Sequence, residues 1–120
     1  MDIQELQQTA WTTAQEKGFH DDLAWTEPRL AAMVRLALIH TEVSEVTQEV
    51  KRHGVDSAAS LERIGHELAD ILIRVADLAE VLGVSLDART QEVLALNARR
   101  PYQYGTPNEA RTAHTGGTPS

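Results

Sequence analysis

Cysteine is absent from the 120-residue chain, which excludes disulfides and thiolate metal sites and fits an intracellular protein. Aromatic residues make up only 4% of it, five side chains in all, within an apolar content of 42% that is rich in Ala and Leu. That mix favours helices packed on helices over a sheet, and no strand-like alternation of useful length occurs. Basic residues are scarce. Eleven Lys and Arg face 18 Asp and Glu, and the formal net charge of −7 argues against a general nucleic-acid or anionic-membrane binder. No run of about 18 apolar residues occurs, and the polar opening MDIQELQQTAW contains no signal-peptide core. The expectation is therefore one cytoplasmic domain, all-α, with neither nucleic acid nor membrane as partner.

Acidic pattern is what the chain has instead. Between Leu36 and Asp77 a short motif occurs twice, Glu42-Val-Ser-Glu45-Val and Glu67-Leu-Ala-Asp70-Ile. Helical residues three apart share a face, roughly 5–6 Å from each other. Each copy therefore projects two carboxylates side by side. They border the apolar stripe, at Val43 and Val46 or at Leu68 and Ile71, rather than standing opposite it. If the two helices pack antiparallel, four carboxylates converge, and their repulsion raises their pKa values unless cations neutralise them. Hard divalent cations with oxygen ligands answer that need, and Mg²⁺ commonly takes carboxylates together with substrate phosphates. Two exposed acidic helix faces are the plainer alternative. The matched offset from the apolar stripes favours the metal site.

In chain order, Asp2 to about Lys17 reads as a first helix, with Asp2 and Glu5 spaced as a capping box and Gly18 as its stop. Ile3, Leu6, Ala10, Trp11 and Ala14 give it an apolar face. Phe19 to Thr26 is a connector. A second helix starts near Thr26–Pro28 and runs to His53, with Met33, Leu36, Ile39, Val43, Val46 and Val50 at helical spacing and Gly54 after it. Val55 to Ser60 reads as a loop. The third helix spans about Leu61 to Leu82, with Ile64, Leu68, Ile71, Leu72, Val75 and Leu82 inward. Ser85 is a candidate N-cap for a fourth helix, which ends near Arg100 before Pro101. Residues 1–104 form the expected domain. Residues 105–120, rich in Gly, Pro, Thr and Ser, read as a flexible tail.

These residues resemble the MazG-like, all-α nucleoside triphosphate pyrophosphohydrolase superfamily. The resemblance rests on Glu42-x-x-Glu45, 21 intervening residues, and Glu67-x-x-Asp70. The runs LIHTEVSEV, ELADILIRVADLA with LGVSLD after it, KGF at Lys17–Phe19 and the closing N-x-x-RPYQYG extend it over roughly residues 15 to 105. It implies a four-helix bundle with two long central helices, assembled as a homodimer or homotetramer. The implied reaction is hydrolysis of a (d)NTP to the (d)NMP and pyrophosphate by water attack at the α-phosphate. By motif position Glu42, Glu45, Glu67 and Asp70 become ligands of Mg²⁺, with Mn²⁺ an expected substitute. Glu42 or Glu45 is the implied general base. Asn97 and Arg100, with Arg99 adjacent, fall where the family contacts the nucleotide, and Lys17 and Trp25 are further candidates. The chain departs from the family at Val93, where a Lys is frequent, and at Gly105-Thr106-Pro107, where Gly-Lys is frequent. Phosphate contacts are then expected from Arg99, Arg100, Lys17 or a neighbouring subunit.

Several residues carry two readings. Glu49 is either an extra ligand or a solvated side chain near Lys51 and Arg52, and Asp77 either supports the site or is solvated. Trp11 and Trp25 either stack on a base or pack; Tyr102 and Tyr104 either flank a pocket or lie against Pro101. His40 and His66 read as surface or core-edge histidines. A ferritin-like Glu-x-x-His site is excluded, because Ala37, Val50 and Arg63 stand three residues before His40, His53 and His66. A nucleotide-binding regulatory protein or a helical interaction module with weak catalysis is the alternative function.

Overall fold

The computed structural model describes residues 1–102 of the chain. Four α-helices, α1 (Ile3–Glu16), α2 (Pro28–His53), α3 (Ala58–Val81) and α4 (Leu86–Arg99), account for most of them, with a 3-10 turn at Asp21–Ala24. No strand occurs among the described residues, so this part of the chain is all-α as expected. It separates into two compact units, Met1–Asp87 and a second beginning at Ala88. Tyr104, the Gly105-Thr106-Pro107 departure and the expected tail at 105–120 lie outside the described residues.

Local chemistry sets most helix ends. The Asp2 carboxylate accepts from the Glu5 amide at 2.8 Å, which satisfies one of the free N–H groups of the first turn of α1. Glu27 does the same for α2, accepting from the Arg29 and Leu30 amides, and Pro28 occupies the first turn, where its missing N–H is no loss. Gly54 ends α2 at φ 70° and ψ −163°, a backbone region open essentially to glycine alone. The start of α3 differs from the sequence reading. Ser57 caps it by accepting from the Ser60 amide at 3.1 Å, so the helix begins at Ala58, three residues before Leu61. Apolar periodicity begins only at Leu61, whereas the cap lies one turn earlier.

In the first unit α1 packs on α3, and α2 packs on both α3 and the 3-10 turn. The fully covered apolar residues are small or few: Ala10, Ala31, Ala76, Leu78 and Ala79. Gln7 is buried beside them, and all its polar atoms are used. Its Nε2 donates to Glu80 Oε2 and to the Val84 carbonyl, both at 2.7 Å, and its Oε1 accepts from the Leu86 amide at 3.0 Å. Much of the expected apolar stripe is not covered within one chain. Met33, Leu36, Val43 and Val50 on α2 are exposed, as are Leu68, Leu72 and Leu82 on α3 or at its end. The reason is geometric: α1 packs on α3 and leaves one flank of the paired long helices open.

Candidate metal centre

The α2–α3 hairpin brings the two acid pairs to one level. Near its turn the Ser60 hydroxyl donates to the His53 carbonyl at 3.2 Å. One step further along, Arg63 on α3 pairs with Glu49 on α2, and further still Arg74 Nε donates to Glu42 Oε1 at 2.8 Å. Partners recede along α2 as they advance along α3, which is antiparallel pairing. Between the last two contacts, carboxylate oxygens of Glu42, Glu67 and Asp70 lie within 4.8 Å of one another. This is the convergence that the duplicated motif led one to expect, with three of its four acids in the close group.

Electrostatics make the group unusual. Glu67 Oε2 is shielded from solvent and has no hydrogen-bond partner among the described residues. Burial first, then the nearness and charge of the Glu45 carboxylate and the charge of Glu42, push the Glu67 carboxyl above the ordinary glutamate range. Glu45, outside the close group, thus acts on Glu67 as a neighbouring acid. Three carboxylates at this spacing, one with an orphaned oxygen, form a donor set of hard oxygens suited to a divalent cation.

A part-open cavity of about 210 Å³ adjoins the group, bordered by α1, the 3-10 turn, α2 and α3. On this measure one water needs roughly 10–15 Å³, so the space admits a ring-sized group. Its apolar wall is formed by Ala10, Ala14, Phe19, Val34, Leu38 and Ile73. The polar wall holds Asp22, Arg35, Asp77 and Arg74 together with Asp70, so one residue belongs both to the acid group and to the cavity. Arg35, 7% exposed, donates from Nη1 and Nη2 to the two oxygens of Asp22 at 3.1 and 2.8 Å. That hydrogen bonding holds Asp22 below the ordinary aspartate range and raises Arg35. Asp77 Oδ1 meets Nε2 of the buried His20 at 2.7 Å, while His20 Nδ1 meets Gln15 Oε1 at 2.8 Å. These contacts tie α1, the turn and α3 together around the cavity.

The remaining sequence candidates are distributed differently. Glu49 is neither in the acid group nor solvated alone, since Arg63 holds it. Asp77 lies in the cavity wall. His40 and His66 are exposed. Lys17 and Trp25 are exposed, Trp25 at 78%, and neither lines the cavity. Trp11 is half-buried against His20, with ring centroids 5.4 Å apart, and also lies outside the cavity wall. Asn97, Arg99 and Arg100 are exposed and belong to the second unit, where Arg99 Nε donates to the Ala95 carbonyl at 3.3 Å. His20, Arg35 and Arg74 were not among the sequence candidates. Arg35 and Arg74 did carry a signal: each is a lone cation inside an apolar run, MVRLALI and ILIRVA. The partners of His20 are too distant in sequence to leave one.

Comparison of the chain with protein-family models, with curated proteins and with solved structures returns no match.

Proposed function

We propose that the chain is a Mg²⁺-dependent nucleoside triphosphate pyrophosphohydrolase of the MazG-like type, converting a (d)NTP to the (d)NMP and pyrophosphate. The observation that carries this reading is the convergence of Glu42, Glu67 and Asp70 around an orphaned Glu67 oxygen, with Asp70 also in the wall of an apolar cavity. The residues fit the ion: the donors are carboxylate oxygens, and the raised Glu67 carboxyl is short of positive charge. Glu42, Glu67 and Asp70 would hold it, with Glu45 beside them. Bound there, Mg²⁺ supplies charge neutralisation at the phosphates and eases deprotonation of the attacking water.

The chain's own groups take the other roles. Glu42 is engaged by Arg74, whereas Glu45 is exposed and has no ion-pair partner among the described residues. Glu45 is therefore the acid best placed to accept the proton of the water. The cavity takes the nucleoside, with Phe19 and the aliphatic wall against the base and the Asp22 and Asp77 side receiving polar groups. A homodimer or homotetramer is part of the proposal, supported by exposed Leu68 and Leu72, each at 53%, on the open flank of the hairpin.

Hydrolysis in ¹⁸O-enriched water with Mg²⁺ tests the bond assignment. Attack at the α-phosphate places the label in the monophosphate. Label in pyrophosphate, or release of orthophosphate, would contradict it.

A further inference from the structure

We propose that Arg74 is the phosphate-contacting cation of this site, an assignment that rests on the nucleotide reading of the acid group and names a residue which the motif does not include. Two guanidinium groups border the cavity, and donor counting separates them. Arg35 is committed. Its Nη1 donates to Asp22 Oδ2 and the Ala31 carbonyl, and its Nη2 to Asp22 Oδ1 and the Phe19 carbonyl, at 2.8 to 3.1 Å. Four of its five N–H groups are thereby used, and the side chain is enclosed.

Arg74 is arranged the opposite way. Its bond to Glu42 uses Nε alone, at 2.8 Å, and its side chain remains 34% exposed. The four N–H groups of Nη1 and Nη2 have no hydrogen-bond partner among the described residues, and they are set in the planar fork that suits a phosphate. Its place in the chain adds to this. Arg74 lies one helical turn from Asp70, on the same face of α3, so both stand at the seam between acid group and cavity. A phosphate held by a cation at Glu42, Glu67 and Asp70, with its nucleoside in the cavity, must cross that seam. The walls there are otherwise acidic, with Asp22, Asp70 and Asp77, and a polyanion needs a positive contact among them. Of the two cations in the cavity wall Arg35 has its donors engaged, and Lys17 does not line the cavity, so Arg74 is the lining cation left for the role.

Full-length Arg74→Met and Arg74→Lys, compared with wild type, test the assignment. Steady-state hydrolysis of the eight common (d)NTPs with Mg²⁺ is measured beside Mn²⁺ binding without nucleotide and Mg²⁺-dependent binding of pyrophosphate. For Arg74→Met the expected result is a loss of at least about tenfold in kcat/KM and in pyrophosphate affinity. Mn²⁺ affinity stays equal or rises, and Arg74→Lys recovers part of the loss. A structural role alone would lower Mn²⁺ binding and pyrophosphate binding together and would overturn the assignment, as would unchanged kcat/KM in Arg74→Met. Should wild type hydrolyse no nucleotide, the reaction falls, and pyrophosphate binding alone decides Arg74: lost in Arg74→Met upholds it, equal or absent in both proteins overturns it.

Discussion

Glu67 faces two opposed demands, one from the metal-free protein and one from the cation that the site is proposed to hold. Without a cation its carboxyl is shielded, lacks a donor and faces Glu45 and Glu42. Exchange to the neutral amide, Glu67→Gln, removes that repulsion and supplies N–H donors to the neighbouring acids. The metal-free variant should therefore melt higher than wild type, and Mg²⁺ should raise the melting temperature of wild type but not of the variant. Thermal melting with and without Mg²⁺ reads both effects, and an equal Mg²⁺ shift in the two proteins would remove Glu67 from the ligand set. Asp22 titrates in the opposite sense. Hydrogen bonding to Arg35 depresses its folded-state pKa, so its stabilising contribution is complete above the ordinary aspartate range and is lost as pH falls through the depressed value. Denaturant unfolding of Asp22→Asn should accordingly show a shallower decline on the acid side than wild type. Identical acid limbs would mean that this pair does not govern acid stability.

At the scale of elements, what was legible in the sequence is what is local. The Asp2 cap, Pro28 in the first turn of α2 and the Gly54 stop involve residues within a turn of one another, and each stands where the sequence placed it. The acid pairs belong to the same class: spacing of three fixes their shared face, and a short connection fixes antiparallel pairing of α2 with α3. The rotation of each helix about its own axis is not written locally. That rotation brings Glu42 rather than Glu45 into the close group with Glu67 and Asp70. Contacts such as His20 with Asp77 and Gln7 with Glu80 were illegible because they join segments far apart in the chain. They can be tested directly. Gln7→Leu strands the Val84 carbonyl and the Leu86 amide, and an orphaned buried polar group costs roughly 1–3 kcal/mol. Ser57→Ala removes the α3 cap for about 1 kcal/mol. Equilibrium denaturation measures both, and a Gln7→Leu protein as stable as wild type would show that this polar junction is dispensable.

For the whole molecule, the open flank of the hairpin sets the next expectation. Leu68 and Leu72 would be half in water in an isolated chain, and apolar area of that kind gains about 25 cal/mol per Å² when a second surface covers it. Sedimentation velocity should find a dimer or tetramer, and Leu68→Glu with Leu72→Glu should shift it to monomer. A monomeric wild type would remove self-association from the proposal. Among the described residues no helix is long and apolar enough to cross a membrane. The central proposal, that the Glu42, Glu67 and Asp70 group holds Mg²⁺ for cleavage of a nucleoside triphosphate, is tested most directly by chromatographic analysis of products. Wild type and Glu67→Gln are each incubated with every (d)NTP and Mg²⁺. A monophosphate and pyrophosphate formed by wild type and not by Glu67→Gln is the predicted result. Diphosphate with orthophosphate, no turnover of any nucleotide, or equal turnover by both proteins would contradict it.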